Sequence, residues 1–220
     1  MSRLGDLMTS ALAISWNDVF QIGALALFLG VVIGHTLHLQ IKEGINPITL
    51  RLKGKGLQGI FEVALFVAVN LWALAVLWYT LPFNDCPLLW LCKTRWMNAP
   101  WLRIIGLAMI AMGLIIFLVA QATLGDSWRL GIDERHPGML VTRGIYRLSR
   151  NPLYLFFNLY FWGTFLLNGT GMFAIFAALV TANLHYQILQ EEHFLTRVHG
   201  ESYLAYRARV GRYLTWRKGV

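Results

Sequence analysis

The sequence has little charge. Only 14% of its 220 residues are Asp, Glu, Lys or Arg, whereas 57% are hydrophobic and the mean hydropathy is +0.54. Soluble domains are about 25% charged, so this composition excludes a soluble globular protein and indicates an integral membrane protein. The sequence also has no G-x-G-x-x-G motif after a predicted strand and no P-loop motif. A nucleotide-binding domain of the soluble type is therefore excluded.

Four uncharged runs are long enough to cross a bilayer, which takes about 20 residues as a helix. They cover residues 19–41, 63–84, 104–125 and 151–190. The last would be about 60 Å long as one helix, and Asn168-Gly169-Thr170-Gly171 near its middle is a turn signal. The sequence therefore predicts an all-α fold with about five transmembrane helices, the last two forming a helical hairpin.

Positive charge is concentrated on one side of these helices. The formal net charge is +8, from 19 basic and 11 acidic residues, and cytoplasmic segments retain most lysines and arginines. This rule predicts an outer N-terminus and an active site that faces the cytoplasm. The charge indicates binding to anionic lipid headgroups of the bilayer, and no nucleic acid is expected, because no basic recognition module accompanies it. The short length and the absence of a targeting segment favour a bacterial inner membrane.

Polar groups suited to chemistry are concentrated in the second half of the chain. Residues 1–125 are predicted to form three membrane helices, and residues 126–220 the catalytic part, with a cytoplasmic loop, the hairpin and an amphipathic tail. In the tail, Tyr203, Tyr206, Val210 and Leu214 share one helical stripe. This pattern is typical of an interfacial helix on a membrane surface, and a plain lipid anchor is the alternative.

Several polar residues outside the hairpin have two interpretations. Cys86 and Cys92 lie in a predicted outer loop, where they form either a disulfide or a pair of packed thiols. His35 and His38 indicate polar packing more than haem or metal ligation, since no comparable pair faces them, and no metal site is predicted. Glu62 is expected to reach the headgroup region, because burying its charge in the membrane is costly.

The segment LVTRGIYRLSRNPLY, residues 140–154, leads into the first arm of the hairpin. Asn151-Pro152 is a helix-start signal, because asparagine caps free backbone amides and proline suits the first helical position. The positive end of a helix attracts anions, and Arg147 and Arg150 beside it suit a carboxylate or phosphate. The alternative is that these arginines only follow the positive-inside rule.

The second arm of the hairpin ends in two carboxylates, Glu191 and Glu192, where the helix dipole disfavours negative charge. Helix geometry lets only one of them face a ligand, and a solvated pair at the interface is the alternative. Because the hairpin returns to the same membrane face, its two ends are predicted to line one cytoplasmic pocket. Tyr146, Tyr154 and Tyr186 would offer aromatic faces to a cation.

These motifs resemble those of the isoprenylcysteine carboxyl methyltransferases and phospholipid methyltransferases of membranes. The family pattern is L-V-T-x-G-x-Y, an R-H-P-x-Y box, an E-E pair and F-G-x-x-Y-x-x-Y-x-x-x-V. The chain has LVTRGIY, RNPLY, Glu191-Glu192 and HGESYLAYRARV in that order, over roughly residues 125–214. The resemblance implies that S-adenosyl-L-methionine binds in the pocket and that a lipid-like or small hydrophobic acceptor enters from the bilayer.

The resemblance also implies roles for individual residues. Arg150 and Glu192 would be catalytic, and Gln187 would bind the substrate. Asn151 replaces the histidine of the R-H-P box, which keeps a hydrogen-bonding group but removes an ionisable ring. Gln187 stands where the isoprenylcysteine enzymes have a substrate-binding arginine, so a prenylcysteine carboxylate would lack its cation partner. The cofactor would be bound by Leu140, Val141, Tyr146, Asn151, Pro152, Leu153, Tyr154 and Glu191.

Methyl transfer to a lipid or small hydrophobic acceptor is thus the first functional hypothesis, and carboxylate, amine, thiol and hydroxyl acceptors are all compatible with it. An NADPH-dependent membrane reductase is the second, because the sterol reductases resemble this chain in their C-terminal hairpin. The third is a non-catalytic haem-binding or assembly protein that uses His35, His38 or His185.

Overall fold

The chain is built from α-helices over the residues that the structure, a computed structural model, describes: 15–42, 44, 48, 56–80, 97, 99–128 and 139–215. Cys86 and Cys92 lie outside the described residues. Short 3-10 turns at Gly125–Ser127 and Gly144–Arg147 precede the hairpin. The five helices of the described part are α1 (Trp16–Lys42), α2 (Gly56–Thr80), α3 (Pro100–Leu124), α4 (Pro152–Asn168) and α5 (Gly171–Arg209).

Four of these helices, α1, α2, α3 and α5, are long and apolar enough to cross a membrane. This agrees with the predicted class of integral membrane protein. Helix α4 has 17 residues, a length of about 26 Å, which is less than the roughly 30 Å of a hydrocarbon core. Four of the five predicted helices therefore meet the length for spanning, whereas the first arm of the hairpin is shorter.

The turn of the hairpin forms at the predicted place. Helix α4 ends at Asn168, and Gly169 follows in the left-handed conformation, with φ 65° and ψ 28°. Thr170 then begins α5, its hydroxyl accepting a hydrogen bond from the Phe173 amide (3.5 Å). Glycine permits the left-handed link at low cost because it has no Cβ.

Helix α5 is longer than the predicted second arm. It passes the predicted end at Gln190 and continues to Arg209, with a kink at Gly200, where φ is 50° and ψ is −128°. The predicted interfacial helix is thus the last part of α5. Its tyrosines do not face a membrane, since Tyr203 and Tyr206 are only 1% and 4% exposed. The prediction of a membrane-facing stripe is therefore wrong, because these rings pack inside the protein.

Helices α3 and α4 pack closely because glycines let their backbones meet. A Cβ on Gly106 would lie 2.7 Å from the carbonyl oxygen of Gly163, and one on Gly163 would lie 2.8 Å from that of Gly106. Gly113 makes a second close approach, 3.3 Å from its ideal Cβ to the carbonyl oxygen of Phe156. The contact holds the start of α4 next to the end of α3.

Aromatic side chains fill the space between α1, α2, α3 and α4. Phe28 of α1 contacts Phe117 of α3 (ring centroids 5.2 Å apart) and Phe156 of α4 (5.3 Å). Trp72 of α2 contacts Tyr160 of α4 (5.0 Å). All five rings are buried. The core thus draws on both halves of the chain, so the first three helices support the hairpin that carries the predicted pocket.

Candidate functional site

Helix α4 begins where the sequence predicts, but its first turn is not capped as predicted. Pro152 occupies the first helical position, and Asn151 precedes it with φ −131° and ψ 57°. The Asn151 side chain makes no capping hydrogen bond, and its Nδ2 instead donates to the main-chain oxygen of Arg212 (3.0 Å). The capping role predicted for Asn151 is therefore wrong, because the C-terminal segment engages this side chain. No side chain at Asn151 therefore caps the first turn of α4, the end of a helix that favours an anion.

Residues 210–215, which we call the C-terminal strap, lie along the segment that precedes α4. The Arg150 amide donates to the Gly211 carbonyl (3.0 Å), and the Thr215 amide donates to the Leu148 carbonyl (2.7 Å). These main-chain hydrogen bonds, with the one from Asn151, hold the end of the described chain at the start of α4. The strap contains two residues that were predicted to continue the helical stripe, Val210 and Leu214.

Tyr206 supports the same segment from α5. Its hydroxyl donates to the main-chain oxygen of Tyr146 (2.6 Å). The Tyr146 side chain is buried, and burial, followed by the charge of Glu191, raises the pKa of its phenol. Tyr146 is therefore a neutral aromatic group near Glu191 at physiological pH.

Glu192 is bound by two arginines. Arg212 contacts both carboxylate oxygens, through Nε to Oε1 (3.1 Å) and Nη2 to Oε2 (2.9 Å), and Arg150 contacts Oε1 through Nη2 (3.0 Å). Glu192 is 5% exposed, and its hydrogen bond raises the pKa of Arg212. Charge-assisted contacts of this kind fix geometry as well as charge. The three groups together leave one net positive charge.

Arg150 retains hydrogen-bond donors for a further group. Its Nη2 binds Glu192, whereas the buried Nε and Nη1 have no hydrogen-bond partner in the described part of the chain. A buried donor without an acceptor costs about 1–3 kcal/mol, and more when it is charged. The geometry therefore favours an anionic ligand group at Arg150, beside the first turn of α4.

Glu191 joins the two ends of the hairpin. Its Oε2 accepts a hydrogen bond from the Tyr154 hydroxyl (2.8 Å). The two consecutive acids thus have different partners, since Glu192 binds arginines and Glu191 binds a phenol. Glu191 is the acid that lies beside both Tyr146 and Tyr154.

The other predicted cofactor residues precede Tyr154 in the sequence. Pro152 is buried at the first position of α4, and Leu153 packs against the hydrophobic core. Leu140 and Val141 are half-buried in the non-helical stretch before the turn that carries Tyr146. Arg147, in that turn, is exposed. The structure thus brings Arg150, Tyr154, Glu191 and Glu192 together and leaves Arg147 facing outward.

The predicted substrate side of the pocket is where α5 packs on the start of α2. The Tyr186 ring packs against Phe61 in a tilted arrangement (ring centroids 4.2 Å apart, interplanar angle 34°), so this ring is engaged by α2. Gln187 is buried, and its Nε2 donates to the Phe61 carbonyl (3.3 Å) and to Oδ1 of Asn183 (2.6 Å).

Sequence reasoning missed two charged residues of this region. Arg212 binds Glu192, and its position after the end of a helix gives no periodic signal. Glu62 is 3% exposed and lies within electrostatic range of Glu191 and Tyr154, so the prediction that it reaches the headgroups is wrong. Burying an acidic side chain in an apolar helix costs free energy, and this was the sequence signal that could have assigned Glu62 to a functional site.

The histidines considered as haem or metal ligands have protein partners. His35 Nε2 lies 3.1 Å from the Gly125 carbonyl, and His185 Nδ1 lies 2.9 Å from the Tyr213 hydroxyl. His38 stacks on His35, with ring centroids 6.3 Å apart. Among the described residues, no three His, Cys, Asp or Glu side chains form a group that could hold a metal ion. The contacts of His35 are those of polar packing.

The chain is similar to known methyltransferases. Residues 101–202 match the family described as phospholipid methyltransferase. Over 123 residues the chain is 35% identical to protein-S-isoprenylcysteine O-methyltransferase A of Arabidopsis thaliana, covering 54% of this chain and 59% of the relative. Over 125 residues it is 30% identical to the Xenopus laevis protein-S-isoprenylcysteine O-methyltransferase, and this match covers 54% of this chain and 43% of the relative. Over 87 residues it is 32% identical to methanethiol S-methyltransferase 1 of Bradyrhizobium diazoefficiens, and this match covers 40% of this chain and 30% of the relative. The chain thus spans at most 59% of the length of these relatives.

Proposed function

We propose, because residues 101–202 match the phospholipid methyltransferase family, that the chain is a membrane methyltransferase. It would use S-adenosylmethionine and act on a lipid-like or small hydrophobic acceptor. The observation that supports this most is the buried Arg150 side chain, whose Nε and Nη1 have no hydrogen-bond partner among the described residues and lie near the start of α4. The ion pair with Glu192 and the pair of Glu191 with Tyr154 lie beside it.

The residues fit the polar groups of S-adenosylmethionine. Its carboxylate suits Nε and Nη1 of Arg150 and the positive end of α4. Its ammonium or its ribose hydroxyls suit the Glu191 carboxylate, and its sulfonium suits the neutral aromatic faces of Tyr146 and Tyr154. Apolar contacts would come from Leu140, Val141, Pro152 and Leu153, next to Asn151.

The chain needs no nucleophile of its own for this reaction. When bound, S-adenosylmethionine supplies a methyl group that its positive sulfur already activates. The residues then have to align the acceptor and exclude water, and alignment can supply up to about 7–11 kcal/mol of the barrier. Glu192 already binds two arginines. We therefore give it the role of a positioning residue that orients Arg150, with Arg150 contacting the cofactor.

The pocket lies on the side of the membrane where α4 begins. Lysines and arginines are most frequent in the segments on this side, so the positive-inside rule supports a cytoplasmic pocket. The acceptor would reach it from the bilayer, because the site is built at the ends of apolar helices.

The test is calorimetric binding of S-adenosylmethionine and of its demethylated product to the full chain in detergent. We expect Arg150→Ala and Glu191→Gln each to weaken binding by about 10- to 100-fold, as expected when a hydrogen bond to a charged group is lost. Arg143→Ala is the matched control. Arg143 is an exposed arginine of the same segment, so its removal changes the net charge equally and should leave affinity unchanged.

Absence of binding by the wild-type chain would refute the proposed function. Quenching of tryptophan fluorescence by NADPH, without a response to S-adenosylmethionine, would support the reductase hypothesis instead. A Soret band in the purified protein would support haem binding.

A further inference from the structure

The contact between α5 and the start of α2 fixes the orientation of a buried amide. Asn183 Nδ2 donates to the Phe61 carbonyl oxygen (3.0 Å), and Gln187 Nε2 donates to the same oxygen (3.3 Å) and to Asn183 Oδ1 (2.6 Å). A carbonyl oxygen only accepts hydrogen bonds, so both side chains must turn their nitrogen toward it. The amide nitrogen of Gln187 therefore points to α2, and its oxygen points away.

Gln187 consequently offers its surroundings an acceptor and no donor. Both hydrogens of Nε2 are engaged, and Oε1 accepts no hydrogen bond from the described residues. The residue is 7% exposed, and Oε1 is not among the fully enclosed atoms without a partner. An accessible acceptor in so buried a residue favours a ligand that brings a hydrogen-bond donor.

The neighbouring polar groups are acceptors as well. Glu191 follows Gln187 by four residues, so the two side chains share one face of α5. The Glu62 carboxylate lies within electrostatic range of Glu191. Arg212 and Nη2 of Arg150 bind Glu192, and the other Arg150 donors are those proposed above to bind the cofactor carboxylate. A carboxylate ligand beside Gln187 would therefore meet oxygen acceptors and like charge.

We infer that the methyl acceptor carries an N–H or O–H group on an apolar body, and that Gln187 selects it by accepting a hydrogen bond from that group. A carboxylate acceptor is rejected at this position. The inference rests on the proposed methyltransferase function and specifies its substrate class. Gln187 is a specificity-determining residue, distinct from the residues that hold the cofactor.

The reaction balances with this acceptor class. The nitrogen or oxygen of the acceptor forms a bond to the methyl carbon while the carbon–sulfur bond of the donor breaks, and the bonding electron pair stays on sulfur. The proton of the N–H or O–H group passes to the Glu191 carboxylate, one helical turn from Gln187, and then to water.

Three probes of equal chain length separate the acceptor classes: dodecylamine, 1-dodecanol and dodecanoate. Each is incubated with the full chain in detergent and methyl-labelled S-adenosylmethionine, and kcat/KM is measured from labelled product. We expect kcat/KM for the amine or the alcohol to exceed kcat/KM for dodecanoate by about 10-fold or more. This is the free-energy cost of leaving a buried hydrogen-bond acceptor, here Gln187 Oε1, without a donor.

Variants of Gln187 test the selecting group. Gln187→Arg should raise kcat/KM for dodecanoate, relative to the amine, by about 10-fold or more. Gln187→Leu should lower kcat/KM for the amine or alcohol by about 5- to 10-fold while the Kd for S-adenosylmethionine stays unchanged. Asn183→Leu, which frees the Gln187 amide to rotate, should reduce the discrimination. Gln40→Leu, at an exposed glutamine of α1, is the matched control.

The outcomes separate the two proposals. If the wild-type chain does not bind S-adenosylmethionine, the proposed function fails and this inference with it. If it binds and methylates dodecanoate as fast as the amine and the alcohol, or methylates neither of these two, the inference is overturned while the cofactor site stands.

Discussion

Replacing Arg212 by alanine tests whether Glu192 fastens the C-terminal strap. The Arg212 side chain binds both oxygens of Glu192 (3.1 and 2.9 Å), whereas its main-chain oxygen accepts from Asn151 (3.0 Å). The substitution removes the side-chain contact and leaves the main-chain contact in place. We therefore expect the strap to open more often while the helices stay folded.

The size of the effect follows from the exposure of the two partners. A hydrogen bond to a charged group contributes about 1.5–3 kcal/mol, but the Arg212 side chain is 30% exposed, and solvent screens such a pair. Arg150 also stays bound to Glu192 (3.0 Å), so the acid keeps one partner. We expect a loss of about 1–2 kcal/mol, which makes the open strap about 5- to 30-fold more populated.

Hydrogen–deuterium exchange measures this opening directly, because the Thr215 amide is protected by its hydrogen bond to the Leu148 carbonyl (2.7 Å). A peptide that covers residues 210–215 should exchange about 5- to 30-fold faster in Arg212→Ala, and α4 should be unaffected. Arg209→Ala is the control, since Arg209 is exposed and its Nε binds only the Ala205 carbonyl of its own helix. Equal exchange in wild type and Arg212→Ala, or equal acceleration in the control, would refute the reasoning.

Two further predictions concern packing and the start of α4. Gly106→Ala should lower the melting temperature in detergent, because the added Cβ would lie 2.7 Å from a backbone oxygen and overpacking costs about 1–3 kcal/mol. Gly30→Ala, whose Cβ would meet nothing within 4 Å, should melt at or slightly above the wild-type temperature, because alanine is a better helix former than glycine, and equal melting of both variants would contradict this account. Asn151→Ala should accelerate exchange of the strap about 2- to 10-fold without affecting the first turn of α4. Faster exchange in that turn would show that Asn151 does cap the helix.

The sequence predicted those features that depend on local composition. Apolar runs predicted the helices because a backbone in the hydrocarbon core must satisfy its hydrogen bonds within the segment, which a helix does. The turn at Asn168 to Gly171 and the start of α4 at Pro152 were predicted because glycine and proline restrict the backbone in known ways. The pairing of Tyr154 with Glu191 also follows from the hairpin, which brings its two ends to one side of the membrane.

The features that sequence reasoning missed depend on contacts between distant segments. Asn151 at a helix start indicates a cap, but its Nδ2 finds an acceptor in Arg212, 61 residues later. The apolar stripe of Tyr203 and Tyr206 was interpreted as facing a membrane surface. Helical periodicity shows that one face of a helix is buried, but it does not show whether lipid or protein buries that face. Glu62 is likewise placed by the packing of α2 on α5, which no local pattern shows.

The identity of residue 151 has a consequence for the chemistry of the site. Asn151 presents a neutral N–H donor to the Arg212 carbonyl, with two guanidinium groups nearby. A histidine at this position would offer a donor in only one of its neutral tautomers, and the adjacent positive charges would disfavour its protonated form. Asparagine thus holds the strap with a donor that does not depend on pH. In the proposed reaction, a proton released by the methyl acceptor would therefore leave by another group, and we propose that Glu191, which accepts a hydrogen bond from the Tyr154 phenol, receives it.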